Sequence, residues 1–360
     1  MSRAAEMLMA AGRRAAQGGG APGVIAVAHS NSPYVSAYPW SAATGFGAKY
    51  ADPATLPAGT GYGVAFSPAG DAIAVAHGAA PRVSAYPWDS ATGFGAKYAN
   101  PSTLPTGNAR GVAFSPAGDA VAVAHFTSPY VSAYPWDAAT GFGVKFANPL
   151  TLPASTGNAV ALSPAGDAIA VAHGTSPFVS AYPWDAASGF GAKFANPATL
   201  PAGKGNAVAF SPAGDAIAVA HSTSPFVSAY PWDAASGFGA KFANPATLPS
   251  NAGRGVAFSP AGDAIAVAHI TVPAVAAYLW DSATGFGAKF SNPAIAPSSS
   301  CIAVAFSPSG DAIVLGHPAN SNVSAYPWSA ATGFGAKYAN PATPPPSAGN
   351  GVAFLPAPLP

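Results

Sequence analysis

Residues 208–221 read Val-Ala-Phe-Ser-Pro-Ala-Gly-Asp-Ala-Ile-Ala-Val-Ala-His, and residues 226–232 read Phe-Val-Ser-Ala-Tyr-Pro-Trp. This stretch recurs along the whole chain. Its tryptophan returns every 48 residues from Trp40 to Trp328, and its histidine keeps the same step from His29 to His317. The chain has no other Trp or His, so both are locked to the repeat. Working outward, the copy that starts at Gly63 predicts four short strands. Val64 to Phe66 is the first, and Ser67 to Asp71 is a tight turn in which Pro68 presets φ and Gly70 supplies the unusual one. Ala72 to His77 is the second, with Ala72, Ala74 and Ala76 on a small face and Ile73 and Val75 on a large one. Both faces are apolar, so this strand should be buried on both sides. Arg82 to Trp88 is the third strand, with Pro87 unable to donate to a ladder, and Phe94 to Tyr98 is the fourth. A long connection from Asn100 then leads to the next copy.

Four-stranded units that are apolar on both faces cannot stand alone, and radial stacking buries them. The expected fold is all-β: a seven-bladed β-propeller of four-stranded antiparallel blades. The first unit lacks its own first strand, and Val352-Ala353-Phe354 lies seven periods after the place where that strand should be. The first blade is therefore expected to be closed by the C-terminal strand. Residues 21–360 are read as the propeller. Residues 1–20 form a tail, with a short N-terminal helix over 2–17 capped by Ser2 and a hinge at Gly18-Gly19-Gly20. Met7, Leu8 and Ala11 lie on its apolar side and are the candidate docking residues for a protein partner or a larger assembly.

Val208 to Asp215 with Trp232-Asp233 resembles the WD-repeat and related propeller families over residues 23–356, and the near-identical copies are similar to those of bacterial and bacteriophage proteins. The chain departs from the eukaryotic pattern in placing its histidine at the end of strand two rather than in a Gly-His dipeptide before strand one. The resemblance implies a non-catalytic binding or structural scaffold, with a bacteriophage virion component as one home. The alternative is a lectin with one weak sugar site per blade, multiplied by avidity.

Charged residues make up only 8% and the net charge is +1, which excludes a polyanion-binding surface spread over the chain, so no nucleic-acid partner is expected. No apolar run approaches the roughly 18 residues that span a bilayer. The N-terminus lacks an uninterrupted apolar core for secretion, which implies cytoplasmic synthesis. Histidines on successive blades stand about 10 Å apart by sheet spacing, too far to share one zinc, so no metal and no cofactor is expected. Six near-identical copies of the turn aspartates offer no unlike pair for acid–base work, and no nucleophile motif occurs, so no catalytic residue is assigned.

The copies differ in two places. One is just after the histidine and includes Arg82, Phe126 and Tyr130; the other is the long connection and includes Tyr62, Arg110, Lys204 and Arg254. Both should open on the same end of the ring, with most aspartates at the other. These seven residues are the candidate partner-binding surface, for a protein or a glycan.

Overall fold

The computed structural model describes residues 23–357. They form seven four-stranded antiparallel sheets, one per repeat. In the second blade the strands are Gly61–Phe66, Ala72–His77, Val83–Asp89 and Gly93–Phe94, in that spatial order. The first strands of the seven blades touch one another in cyclic order and the cycle closes, so they line the axis of a seven-bladed propeller.

Closure follows the expected route. Gly349–Phe354 pairs antiparallel with Gly23–His29, with Ile25 opposite Phe354 and Val27 opposite Val352. The first blade thus takes its inner strand from the far end of the chain. The N-terminal helix over 2–17, with Met7, Leu8 and Ala11, lies outside the described residues; no helix occurs among those described.

Each blade interface is a small face against a large one. Ala72, Ala74, Ala76, Val83 and Ala85 of the second blade pack on Val121, Val123, Tyr134 and Trp136 of the third. The same pairing closes the ring, where Ala312, Val314 and Ala325 meet Ile25, Val27, Tyr38 and Trp40. The tryptophans sit at the blade edges in perpendicular aromatic contacts. Trp88 has Phe94 of its own sheet at 5.0 Å and Tyr50 of the preceding blade at 5.1 Å, geometry that suits ring quadrupoles. The buried Tyr86 hydroxyl donates to the Thr55 carbonyl in the preceding connection, at 2.8 Å.

Turn chemistry accounts for the aspartates. Ser67 Oγ accepts from the backbone N–H groups of Asp71 and Ala72 and donates to Asp71 Oδ1 at 2.7 Å. Asp89 Oδ1 accepts from the backbone N–H groups of Ala91 and Thr92. Both turns lie at the end of the ring away from the start of the first strands.

The fourth strand is shorter than expected: Gly93–Phe94, not Phe94 to Tyr98. Pro87 has no N–H to extend the ladder. In the sixth blade Leu279 replaces that proline, and the outer strand runs on through Gly285–Lys289.

The histidines are wholly or almost wholly buried. His77 Nε2 shares a hydrogen bond of 3.0 Å with Ser84 Oγ, and the Trp88 indole N–H has no partner among the described residues. In this blade the histidine pairs with a serine, and the tryptophan is not part of that pair. Burial, the largest influence, pushes each of the seven histidines down to about 4.

Two outcomes follow. Phe354→Ala should cost about 3 kcal/mol and speed hydrogen exchange at the amides of Ile25 and Val27 more than in any other blade, read by exchange mass spectrometry. Because the histidine pKa values are depressed in the folded state, the unfolded chain binds the extra protons. Stability should be fully present above about pH 6.5 and fall as pH drops towards 4, by about 1.4 kcal/mol per pH unit for each histidine. Thermal unfolding between pH 7.5 and 4.5 measures it, and a flat midpoint would contradict the buried neutral imidazoles.

Candidate functional site

The propeller axis opens into a cavity of about 390 Å³ at the end where the first strands begin. Each blade supplies one residue to its mouth. Tyr62, Arg110, Asn158, Asn206, Arg254, Ile302 and Asn350 stand 48 residues apart and follow one another around the ring. One position deeper every blade has Gly or Ala, and below that lie seven valines from Val64 to Val352. At Gly351 the small size is set by close approach: a Cβ there would stand 2.9 Å from the Tyr62 carbonyl oxygen of the next blade. The result is a cup with polar lips and an apolar floor.

The lips are not symmetric. Arg110, Asn158, Asn206 and Arg254 form one arc, and Lys204 joins it from the connection two residues before Asn206. Ile302, Asn350 and Tyr62 form the facing arc. Among the described residues, no carboxylate and no histidine lines the cavity.

The asparagines are fixed. Asn158 Nδ2 donates to the Gly205 carbonyl at 2.8 Å, Asn206 Nδ2 to Gly253 at 2.7 Å, and Asn350 Nδ2 to Gly61 at 2.8 Å. Each amide clasps the next blade, which leaves its Oδ1 as the acceptor. Arg110 is held by stacking. Its guanidinium carbon lies 5.4 Å from the Tyr62 ring centroid and 5.7 Å from that of Phe126, within cation–π range. Its Nε is buried with no partner among the described residues. The Lys204 backbone is set by Ser222, whose N–H donates to its carbonyl at 3.0 Å. Its ammonium sits below the usual lysine range, first through partial burial and then through the charges of Arg110 and Arg254.

Of the seven residues read from the sequence, Tyr62, Arg110, Lys204 and Arg254 meet in this cavity. Phe126 is exposed beside it and reaches it only through Arg110. Arg82 and Tyr130 do not line it. They occupy equivalent turn positions after the histidine, at φ 75° and 71°, where their carbonyls accept from the N–H groups of His77 and His125. The Arg82 guanidinium bonds the Gly78 carbonyl and Asn108 Oδ1. Sequence reasoning missed Asn158, Asn206, Ile302 and Asn350 as partners in one ring. The 48-residue step that ties the tryptophans together would have aligned them.

No protein-family model matches the chain, and no curated protein does. Solved structures share its fold. A protein from Bacteroides fragilis named as a candidate 6-phosphogluconolactonase aligns with a TM-score of 0.72 at 12% identity, over 93% of this chain and 98% of that one. A protein of the same name from Bacteroides uniformis gives 0.69 at 15%, over 93% and 99%. The periplasmic gluconolactonase of Pseudomonas aeruginosa gives 0.65 at 15%, over 92% and 99%. At such identities the likeness shows the seven-bladed frame alone.

These neighbours correct the expectation of a non-catalytic scaffold, with its lectin alternative, and the assignment as a non-enzyme. The frame recurs in chains named as lactonases, so a ring of like blades does not imply a lack of catalysis. The expectation rested on seven alike sites. The axial residues are not alike, and they make one asymmetric cavity.

Arg110→Ala and Arg254→Ala should each raise the Lys204 pKa, with the part due to burial remaining. NMR of ¹³C-methylated lysines would read it; an unmoved Lys204 in both variants would show that the three cations do not share one field.

Proposed function

We propose that the chain is a hydrolase of small anionic lactones bound in the axial cup. One observation carries this reading: Arg110, Lys204 and Arg254 converge on a single cavity that no carboxylate lines among the described residues. Uncompensated cations behind a partly apolar floor favour an anion, because charge interactions strengthen away from bulk water. The cavity is large enough for a sugar-sized ligand. Asn158, Asn206 and Asn350 offer fixed oxygen acceptors to hydroxyl groups, and the lactonase names of the structural neighbours supply the reaction class.

The chemistry asks little of the site. A water oxygen adds to the lactone carbonyl, the ring C–O bond breaks, and a carboxylate and a hydroxyl are left, with one proton released to solvent. Arg110 and Arg254 stabilise the oxyanion and hold the ligand's own anionic group. The neutral fraction of Lys204, raised by partial burial and then by the neighbouring cations, takes the proton of the attacking water and returns it to the leaving ring oxygen.

Hydrolysis of 6-phosphoglucono-δ-lactone and glucono-δ-lactone, followed by acid release against the uncatalysed rate, tests the reading. The phosphorylated lactone should be the better substrate. Arg110→Ala and Arg254→Ala should each lower its kcat/KM by about 100-fold, the loss of one charge-assisted contact in a shielded site. Acid release at the uncatalysed rate with both lactones would overturn it.

A further inference from the structure

The eight lysines fall into two kinds. Seven belong to the repeat, and each donates its ammonium to the side chain three residues on: Lys49 to Asp52, Lys97 to Asn100, and so through Lys337 to Asn340. The eighth, Lys204, has no side-chain hydrogen bond among the described residues, and it alone lines the axial cavity. Among the described residues no carboxylate pairs with it. Partial burial first, and then the charges of Arg110 and Arg254, lower its pKa from the usual lysine value.

A partly buried amine that lines the cavity beside two arginines and has no side-chain hydrogen bond among the described residues is placed for addition to a carbonyl. We propose that Lys204 is an imine-forming residue, whose amine adds to the carbonyl carbon of a small aldehyde or 2-oxo acid carrying a carboxylate or phosphate held by Arg110 and Arg254. This rests on the reading of the cup as an anion site, and goes beyond lactone hydrolysis. The Nζ lone pair forms the new C–N bond and gives a carbinolamine. The carbonyl oxygen, having gained two protons, then leaves as water, and C=N replaces C=O. No oxidant or reductant takes part. Two features of the cup direct the reaction to Lys204. The anion-binding arc raises the local concentration of the anionic carbonyl compound beside the amine, and the amine has no competing acceptor to give up. The repeat lysines meet neither condition: their nitrogens are committed to Asn or Asp, and none lies in the cavity. Burial lowers most of them as well, so a depressed pKa alone does not single out Lys204; its position does.

The test uses the full chain, pyridoxal 5′-phosphate as the anionic aldehyde, and borohydride to reduce any imine to a stable amine, with the adduct mapped by peptide mass spectrometry. Label should reach Lys204 at least 10-fold more than any of the seven repeat lysines, which serve as internal controls. Pyridoxal, which lacks the phosphate, should show no such preference. Excess inorganic phosphate, or the Arg110→Ala/Arg254→Ala pair, should lower the Lys204 label about 10-fold with the near-ultraviolet circular dichroism unchanged. Lys204→Arg keeps the charge and should leave the cup unlabelled. Label spread evenly over the eight lysines, or a Lys204 label indifferent to phosphate and to both arginines, overturns the proposal. Calorimetry of pyridoxal 5′-phosphate binding to Lys204→Arg separates the two readings: binding there, with no trapped adduct in the unmodified chain, would overturn imine formation and leave the anion site standing. An absence of binding, together with lactone turnover at the uncatalysed rate, would remove both.

Discussion

The contact on which the structure depends is the seating of one blade's alanine face against the branched and aromatic face of the next. Ala72, Ala74 and Ala76 project only methyl groups, so the Val121, Val123, Tyr134 and Trp136 side chains can come down onto the sheet itself. Close-packed interiors have little tolerance for volume changes. A larger residue at one of these alanines would push two blades apart and alter the wedge angle at that interface. A ring amplifies such an error, because seven wedges must sum to a full turn before Gly349–Phe354 can reach Gly23–His29. This gives a physical reason for the near-identity of the copies: each interface must have nearly the same geometry. The His–Ser pairs and the tyrosine hydroxyls that reach the preceding connections serve the same end, since they satisfy polar groups within the dry interfaces.

Most of this frame could be read before any coordinates, because period-two alternation and fixed punctuation survive in every copy. Ala72 to His77 announces two apolar faces, and Ser67 to Asp71 announces its turn. The fourth strand was misjudged because Phe94 to Tyr98 has the composition of a strand, whereas its partner strand contains Pro87. The consequence of a missing N–H falls on the neighbour and not on the proline itself. Leu279 shows the converse, since the outer strand beside it is longer.

The site was half legible, and the division is instructive. Tyr62 and Tyr130 look alike in the sequence, as do Arg110 and Arg82: an aromatic or a cation in a stretch where the copies diverge. What separates them is the backbone. Arg82 and Tyr130 hold a left-handed turn position, and their carbonyls close the turn back onto the histidine N–H. Tyr62 and Arg110 begin an innermost strand and so face the axis. The three asparagines escaped notice because asparagine in a Gly- and Pro-rich connection reads as a turn former. Their actual role, an amide clasp between neighbouring blades, depends on ring closure and has no local signature.

A repetitive frame can therefore carry a singular site. Side chains at the blade interfaces are constrained by their neighbours, and a change there disturbs packing at once. The seven axial lip positions are less restrained: three asparagines clasp the next blade, but Tyr, Arg and Ile stand at the other four. Divergence at that ring leaves the packed alanine and branched faces intact and brings unlike side chains to one place. The lip that results sets three cations on one mouth, with aromatic faces, amides and Ile302 around them among the described residues. Like charges repel one another. Arg110 stacks on Tyr62 of the preceding blade, yet Asn and Ile fill the same position elsewhere, so the frame has no general need of a cation there. On the proposed reading of the cup as an anion site, the mutual repulsion of Arg110, Lys204 and Arg254 is offset when the ligand binds.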